Sequence, residues 1–294
     1  MALQSSGAIS LADIAAEFGG AAPHAISEYY GAAAGIPSSG QISFSNFYGK
    51  SAASPIVATG GTVSTVGSYK YHTFTTTYGA TTPNTFQITA TASGSLSNTV
   101  QVLIVAGGGL GGYTYSAYGG GGGGAGGMVQ SSFSASVTSY AVWVGAWHND
   151  SYIVPSAGTA TAKYGGRGFN SGSYPTPGGS GGGGSYLYAG AAGTSGQGNA
   201  GGGNTAYATG GGGGGAGGAG SGSTGGIGAV WVNGTRYAGG GGGAANGSGG
   251  AGGGGSSSGG VGGAGTFYGG GSAGGSGSVG LPYQGIVIFR YQIS

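Results

Sequence analysis

Apolar and polar positions alternate along Tyr69–Thr75 and Thr85–Thr89. β-Branched and aromatic residues dominate both stretches, and a period of two predicts strands. Val100–Ala106 is a short continuous apolar run, the pattern of a buried strand. Ile286–Phe289 is a second such run, expected to return beside 100–106. Tyr140–Val144 and Ala229–Val232 are two further strand-like pieces. A different period governs the first fifty residues. Leu11, Ile14 and Phe18 fall on one helical face, Ser10 is placed to cap it, and Asp13 stands in the capping-box position. Gly19-Gly20 ends that helix. Ser5–Ile14 is echoed by Ser38–Phe47, with a further Ile26-Ser27 pair between them. Three short helices, each opening at a Ser, are therefore predicted at 10–18, 27–33 and 43–48.

Composition changes the picture between these flanks. Of 294 residues, 83 are Gly. Residues 107–280 hold 70 of them, and only 16 residues of that stretch are Leu, Ile, Val or Phe. A flexible Gly/Ser linker is the simplest reading of such tracts. Strand-like pieces and tyrosines placed at intervals argue against it, and the lack of a Gly-X-Y period excludes collagen. The alternative is a bundle of polyglycine-II helices, whose outward amides and carbonyls pair with neighbouring rods brought close by the missing Cβ atoms. The expected fold is thus mainly β and irregular. It comprises a three-helix headpiece (1–50), a short β-sheet collar (51–106) and a polyglycine-II bundle with aromatic connections (107–280). A C-terminal β-strand (281–294) closes it.

Charge and Cys exclude several functions. The six basic and four acidic residues give a net charge of +2, too little for a nucleic-acid footprint. The chain has no Cys, hence no disulfide framework or thiolate metal site. No run of about 20 apolar residues predicts a membrane span, and the first ten residues do not read as a secretory signal.

Residues Ile9–Gly20, His24–Gly31 and Ile42–Gly49 resemble the N-terminal module of many tailed-phage virion proteins, particularly those of marine phages. Tyr69–Thr75, Val102–Gly109, Tyr237–Gly243 and Gly285–Ile288 resemble a glycine-rich domain common in phage tail fibres. The architecture also looks like the polyglycine sandwich of distal tail-fibre adhesins in T-even-like phages. The resemblance implies a virion location, in the tail or a surface fibre, and assembly in the host cytoplasm. It implies that the headpiece docks to other virion proteins through Ile9, Leu11, Ile14, Phe18, Ile26, Tyr29, Tyr30, Ile42, Phe44, Phe47 and Tyr48. It also implies that loops joining the tracts contact a host-cell protein or glycan. Where the family pattern would continue Gly-Ala-Gly-Gly, this chain reads Gly145-Ala146-Trp147-His148-Asn149-Asp150, a departure expected at a loop tip.

Tyr is the other outlier, at 20 residues. Loop aromatics combine a flat apolar face, a hydroxyl and little rotamer entropy, which suits adhesion. The candidate receptor-binding residues are Tyr113, Tyr115, Tyr118, Trp147, His148, Tyr174, Tyr186, Tyr188, Tyr207, Phe267 and Tyr268. The bland reading is that they pack the ends of the tracts. No catalytic, metal or cofactor site is expected. Asp150 is the single carboxylate after residue 28, and His24, His72 and His148 lack metal-ligand spacing. His148, Asp150 and Ser151 are triad residue types, but adjacency in sequence is not triad geometry. The leading expectation is a non-enzymatic virion protein that attaches to the host. A homo-oligomer is expected, and a trimer suits a fibre. A self-assembling fibre or coat protein is the alternative, followed by an ice-binding bundle.

Overall fold

A computed structural model describes residues 2–75, 82–94, 96–114, 119–154, 161–171, 173–203 and 208–294. The strands are β1 (Val57–Thr59), β2 (Thr62–Val66), β3 (Tyr69–Phe74), β4 (Asn84–Ala90), β5 (Thr99–Val105), β6 (Met128–Ser134), β7 (Thr138–Trp143) and β8 (Ser151–Val154). They continue with the shorter β9 (Thr161–Ala162), β10 (Ala229–Val230), β11 (Arg236–Tyr237), β12 (Ser257–Ser258), β13 (Val261–Gly262) and β14 (Ser278–Val279), and end with β15 (Ile286–Gln292).

Two five-stranded antiparallel sheets form the frame, in the orders β1-β4-β7-β8-β9 and β2-β3-β15-β5-β6. Phe86 and Ile88 of β4, Val142 of β7 and Ile153 of β8 are buried in one cluster with Phe74 of β3, Val102 and Ile104 of β5, and Val287 and Phe289 of β15. That shared cluster makes the two sheets a sandwich. The second sheet is covered on its other face as well. Leu103, Val105, Ile286 and Ile288 meet Trp231, Tyr237, Phe267 and Tyr268 from the glycine-rich stretch. Burial on both faces explains why β5 and the start of β15 read as unbroken apolar runs while β4 alternates.

The expected fold class is overturned. The regular structure is mostly antiparallel β-sheet, in four open sheets, and the described residues contain one α-helix. A three-helix headpiece on a short collar is absent. Only the first predicted helix is an α-helix, α1 (Leu11–Phe18). Ser10 Oγ accepts from Asp13 N at 3.1 Å, and the Asp13 carboxylate accepts from Ser10 N at 2.8 Å. The other two are single 3-10 turns, Ile26–Tyr29 and Phe44–Phe47. Gly31 and Gly49, at φ 68° and 67°, follow them closely. One turn without propagation leaves the cost of helix nucleation unrecovered. The repeat survives as a reach-back contact: Glu28 accepts from Ala25 N and Asn46 from Ser43 N, as Asp13 does from Ser10. Ala25, two residues before Ser27, holds the capping position in the middle copy.

The sheets also cross residue 106, because β6 to β9 and β15 supply half of their strands. Tract 107–114 leaves β5, and tract 119–127 runs back beside it into β6, with Gly109 N on Gly124 O and Gly112 N on Gly121 O, both at 2.8 Å. Three successive amides of the returning tract then bond three different neighbours. Gly122 donates to Gly211 O, Gly123 to Ser272 O and Gly124 to Gly166 O, each at 2.8 Å. A Cβ on any of the three would stand 2.1 Å from a carbonyl oxygen of yet another tract: Gly241, Gly109 and Ser180 respectively. Close backbone approach, rather than a left-handed conformation, is why glycine fills these positions.

Candidate functional site

The far end of the tracts gathers aromatic side chains. Tyr113 closes the outgoing tract eight residues beyond Val105, bridges to Gly275 and accepts from Ser171 N at 3.3 Å. Ser185 and Tyr188 exchange two backbone bonds of 3.0 Å, forming a tight turn with Tyr186 and Leu187 at its apex. Ser185 also bridges to Gly210, which ties this turn to the next tract. The Tyr188 ring stacks on buried Phe169, with centroids 4.9 Å apart and planes 19° apart. Tyr174 meets Tyr188 edge-on at 4.9 Å and 86°. Tyr174 is 71% exposed and Leu187 60%. Tyr113 and Tyr186 are exposed too.

Buried Phe169 thus carries Tyr188 and, through it, Tyr174 from a separate connection, while exposed Leu187 stands next to Tyr188 in its turn. Stacking on Phe169 fixes the Tyr188 rotamer, so contact there costs little further ordering. The named side chains carry no charge, and the surface offers apolar faces and phenol hydroxyls. Such a surface binds by stacking and hydrogen bonding.

A family model for a glycine-rich domain matches residues 80–292. The chain belongs to this glycine-rich domain family. No curated protein matches the chain. The matched span runs from just before β4 to the last residue of β15 and contains all the tracts. β2 and β3 lie outside the match, yet β3 pairs with β15 over six residues. The sheet of the glycine-rich domain is therefore completed from the preceding segment.

Of the remaining sequence-predicted residues of the glycine-rich domain, those among the described residues do not join the tyrosine cluster. Trp147 and His148 sit at the sheet end, where His148 N donates to Gly108 O at 2.9 Å. Phe267 and Tyr268 lie at that same end, against Tyr237 and the second sheet. Tyr115, Tyr118 and Tyr207 lie outside the described residues. The Trp147–Asp150 departure, expected at a loop tip, is instead a tie across the sheet end. Asp150 accepts from Lys163 Nζ and Tyr164 N, both at 2.9 Å, and the His148 ring packs on Tyr164 at 4.4 Å. Burial, with Arg167 nearby, holds the His148 pKa below its usual value against a bond to the Gly165 carbonyl. Ser151 Oγ is buried, donating to Val105 O and accepting from Gly145 N at 2.8 Å each. The hydroxyl is committed to the backbone, so these three residues form no triad.

Most of the proposed docking residues are the headpiece's own core. Ile14, Tyr29 and Phe47 are buried together, and Ile9, Leu11, Phe18, Ile26 and Ile42 pack around them. The hydroxyls of Tyr30 and Tyr48 donate to the carbonyls of Gly40 and Gly7. Phe44 is the member left exposed. Sequence reading left Phe169 and Leu187 out of the site. No local signal marks Leu187, because Tyr186-Leu187 at the apex of the turn includes no Gly, Pro, Asn or Asp. Among the described residues no group of three His, Asp or Glu could hold a metal. No described helix is long and apolar enough to cross a membrane.

Proposed function

We propose that the chain is a structural protein of a tailed-phage virion, of the tail or tail-fibre type, and that it attaches the particle to a host-cell protein or glycan. The observation that carries this reading is the Phe169–Tyr188–Tyr174 stack, with exposed Leu187 next to Tyr188 in the same tight turn. Binding there is non-covalent and uses neither cofactor nor metal. The headpiece is the virion-facing part, with Phe44 available to a neighbouring tail protein. Modest affinity per site is multiplied by the copies on a particle. The test is binding of the labelled full chain to cells of the host. The double variant Tyr174→Ser, Leu187→Ser should lose cell binding at an unchanged melting temperature. Undiminished binding by that variant overturns the assignment of this surface.

A second reading, a self-assembling fibre or coat protein, is favoured by β2. All five of its residues are exposed on a sheet edge, Val66 by 64%, and they include neither charge nor Pro. Edges of this kind invite strand pairing. Concentration-dependent oligomers in sedimentation, abolished by Val63→Lys, would support it.

A further inference from the structure

Arg290 stands on the second sheet without an acidic partner. Asp13 is held by Ser10, Glu17 by Ala52 N, Glu28 by Ala25 N and Asp150 by Lys163 and Tyr164 N. Those are the four carboxylate side chains of the chain. The guanidinium is nonetheless fixed in place. Its Nε donates to Gln101 Oε1 at 2.6 Å, and its Nη1 donates to the Tyr71 hydroxyl at 3.1 Å and Val232 O at 3.5 Å. Its Cζ lies over the Tyr69 ring, 4.1 Å from the centroid. Every one of these hydrogen bonds uses Nε or Nη1, which leaves Nη2 with two N–H donors that no group among the described residues takes. Gln101 Oε1 is committed to Arg290, so the Gln101 amide NH2 is a second available donor.

Arg290 and Gln101 line a cavity of about 220 Å3, together with Tyr69, Ser97, Thr99 and Gln292. Drug-sized pockets run from roughly 300 Å3 upward, so this one suits a single small unit. A preorganised guanidinium edge beside an amide NH2 selects an oxyanion. The remaining lining is neutral and rich in hydroxyls and amides, which matches a polyhydroxylated body. We propose that this cavity binds a sugar bearing a carboxylate. The carboxylate lies on Arg290 Nη2 and the Gln101 amide, and the ring hydroxyls lie toward Thr99 and Gln292. The site is on the sheet, apart from the tyrosine cluster at the tract ends, and stands independently of the attachment reading.

The test follows the Arg290 side-chain Nε–Hε resonance in the full chain during titration with glucuronate, glucose and inorganic sulfate. Glucuronate should produce a saturable shift, and glucose none. Arg290→Lys should weaken glucuronate binding about tenfold, since an ammonium does not reproduce the planar fork. Arg290 also pins Val232, so Thr99→Val provides a variant that keeps all three Arg290 contacts. It should weaken binding several-fold at an unchanged melting temperature. An absent or non-saturable glucuronate shift overturns the site. Equal affinity for sulfate, or no effect of Thr99→Val, overturns the sugar assignment.

Discussion

The rings of Phe86 and Phe289 stack face to face between the two sheets, 4.1 Å apart at their centroids and 11° apart in plane. One ring comes from β4 and the other from the C-terminal strand β15, and both are fully buried. This contact joins a strand that precedes the tracts to the strand that follows them. Phe289→Ala should therefore cost about 3–5 kcal/mol, the usual range for truncating a buried Phe. Chemical denaturation that shows a loss below about 1 kcal/mol would contradict a shared core.

The tracts make a sharper prediction. Gly123→Ala places a Cβ 2.1 Å from the Gly109 carbonyl, in a tract buried along its whole length. It should destabilise by about 1–3 kcal/mol or more, because the backbone it meets is held rigidly and cannot yield. Gly277→Ala meets nothing within 4 Å and should stay within about 0.5 kcal/mol of the parent. Comparable melting temperatures for the two variants would show that close backbone packing is not what the glycines provide.

Acid should weaken the fold through two histidines. His72 is buried, with Nδ1 2.7 Å from the Gly60 carbonyl and Nε2 3.1 Å from the Tyr291 hydroxyl. A carbonyl only accepts, so Nδ1 carries the proton and Nε2 takes the tyrosine's. Burial, helped by the Lys70 charge, lowers the His72 pKa, and burial lowers that of His148. Folded pKa values below the unfolded one mean that the neutral forms favour folding. Their contribution is present above about pH 6.5 and is lost as pH falls toward the folded pKa values. The melting temperature should be level between about pH 7 and 8 and fall below about 6.5. His72→Gln should flatten that slope, and an unchanged slope in this variant would remove His72 from the account.

Attachment and stability should separate at the tract ends. Tyr174 is 71% exposed, so Tyr174→Ser should shift unfolding free energy by no more than about 0.5 kcal/mol. Phe169→Ser removes the buried ring beneath Tyr188 and should cost several times more. If calorimetry finds both variants equally destabilised, Tyr174 is packing material rather than an outward-facing contact.

Strand positions were legible in the sequence where the chemistry was local. Alternation marked β3 and β4, continuous apolar runs marked β5 and the start of β15, and Ser10 with Asp13 marked α1. The headpiece misled because its repeat preserves only a reach-back contact. Asn46 and Glu28 make that contact within a single turn, and the glycines that follow stop further winding. The candidate site was legible only in part. Tyr113, Tyr174, Tyr186 and Tyr188 lie between tracts in the sequence, but so do Trp147, Phe267 and Tyr268. Nothing local says which end of a tract a connection occupies.

The sequence by itself determined which segments could bury side chains and which could not. With 70 glycines in residues 107–280, that stretch had to pack by backbone. Its near lack of charge left nothing to hold the tracts apart. The apolar runs already set β15 beside β5, and the tertiary structure alone added β3 as its second neighbour. It also turned the Trp147–Asp150 loop inward as a tie and gathered the rings of Phe169, Tyr174 and Tyr188 into one surface. Those outcomes depend on which of many near-identical glycine tracts lie side by side. Only long-range hydrogen bonding and the shared sandwich core make that choice, because glycines carry no side chains to encode it.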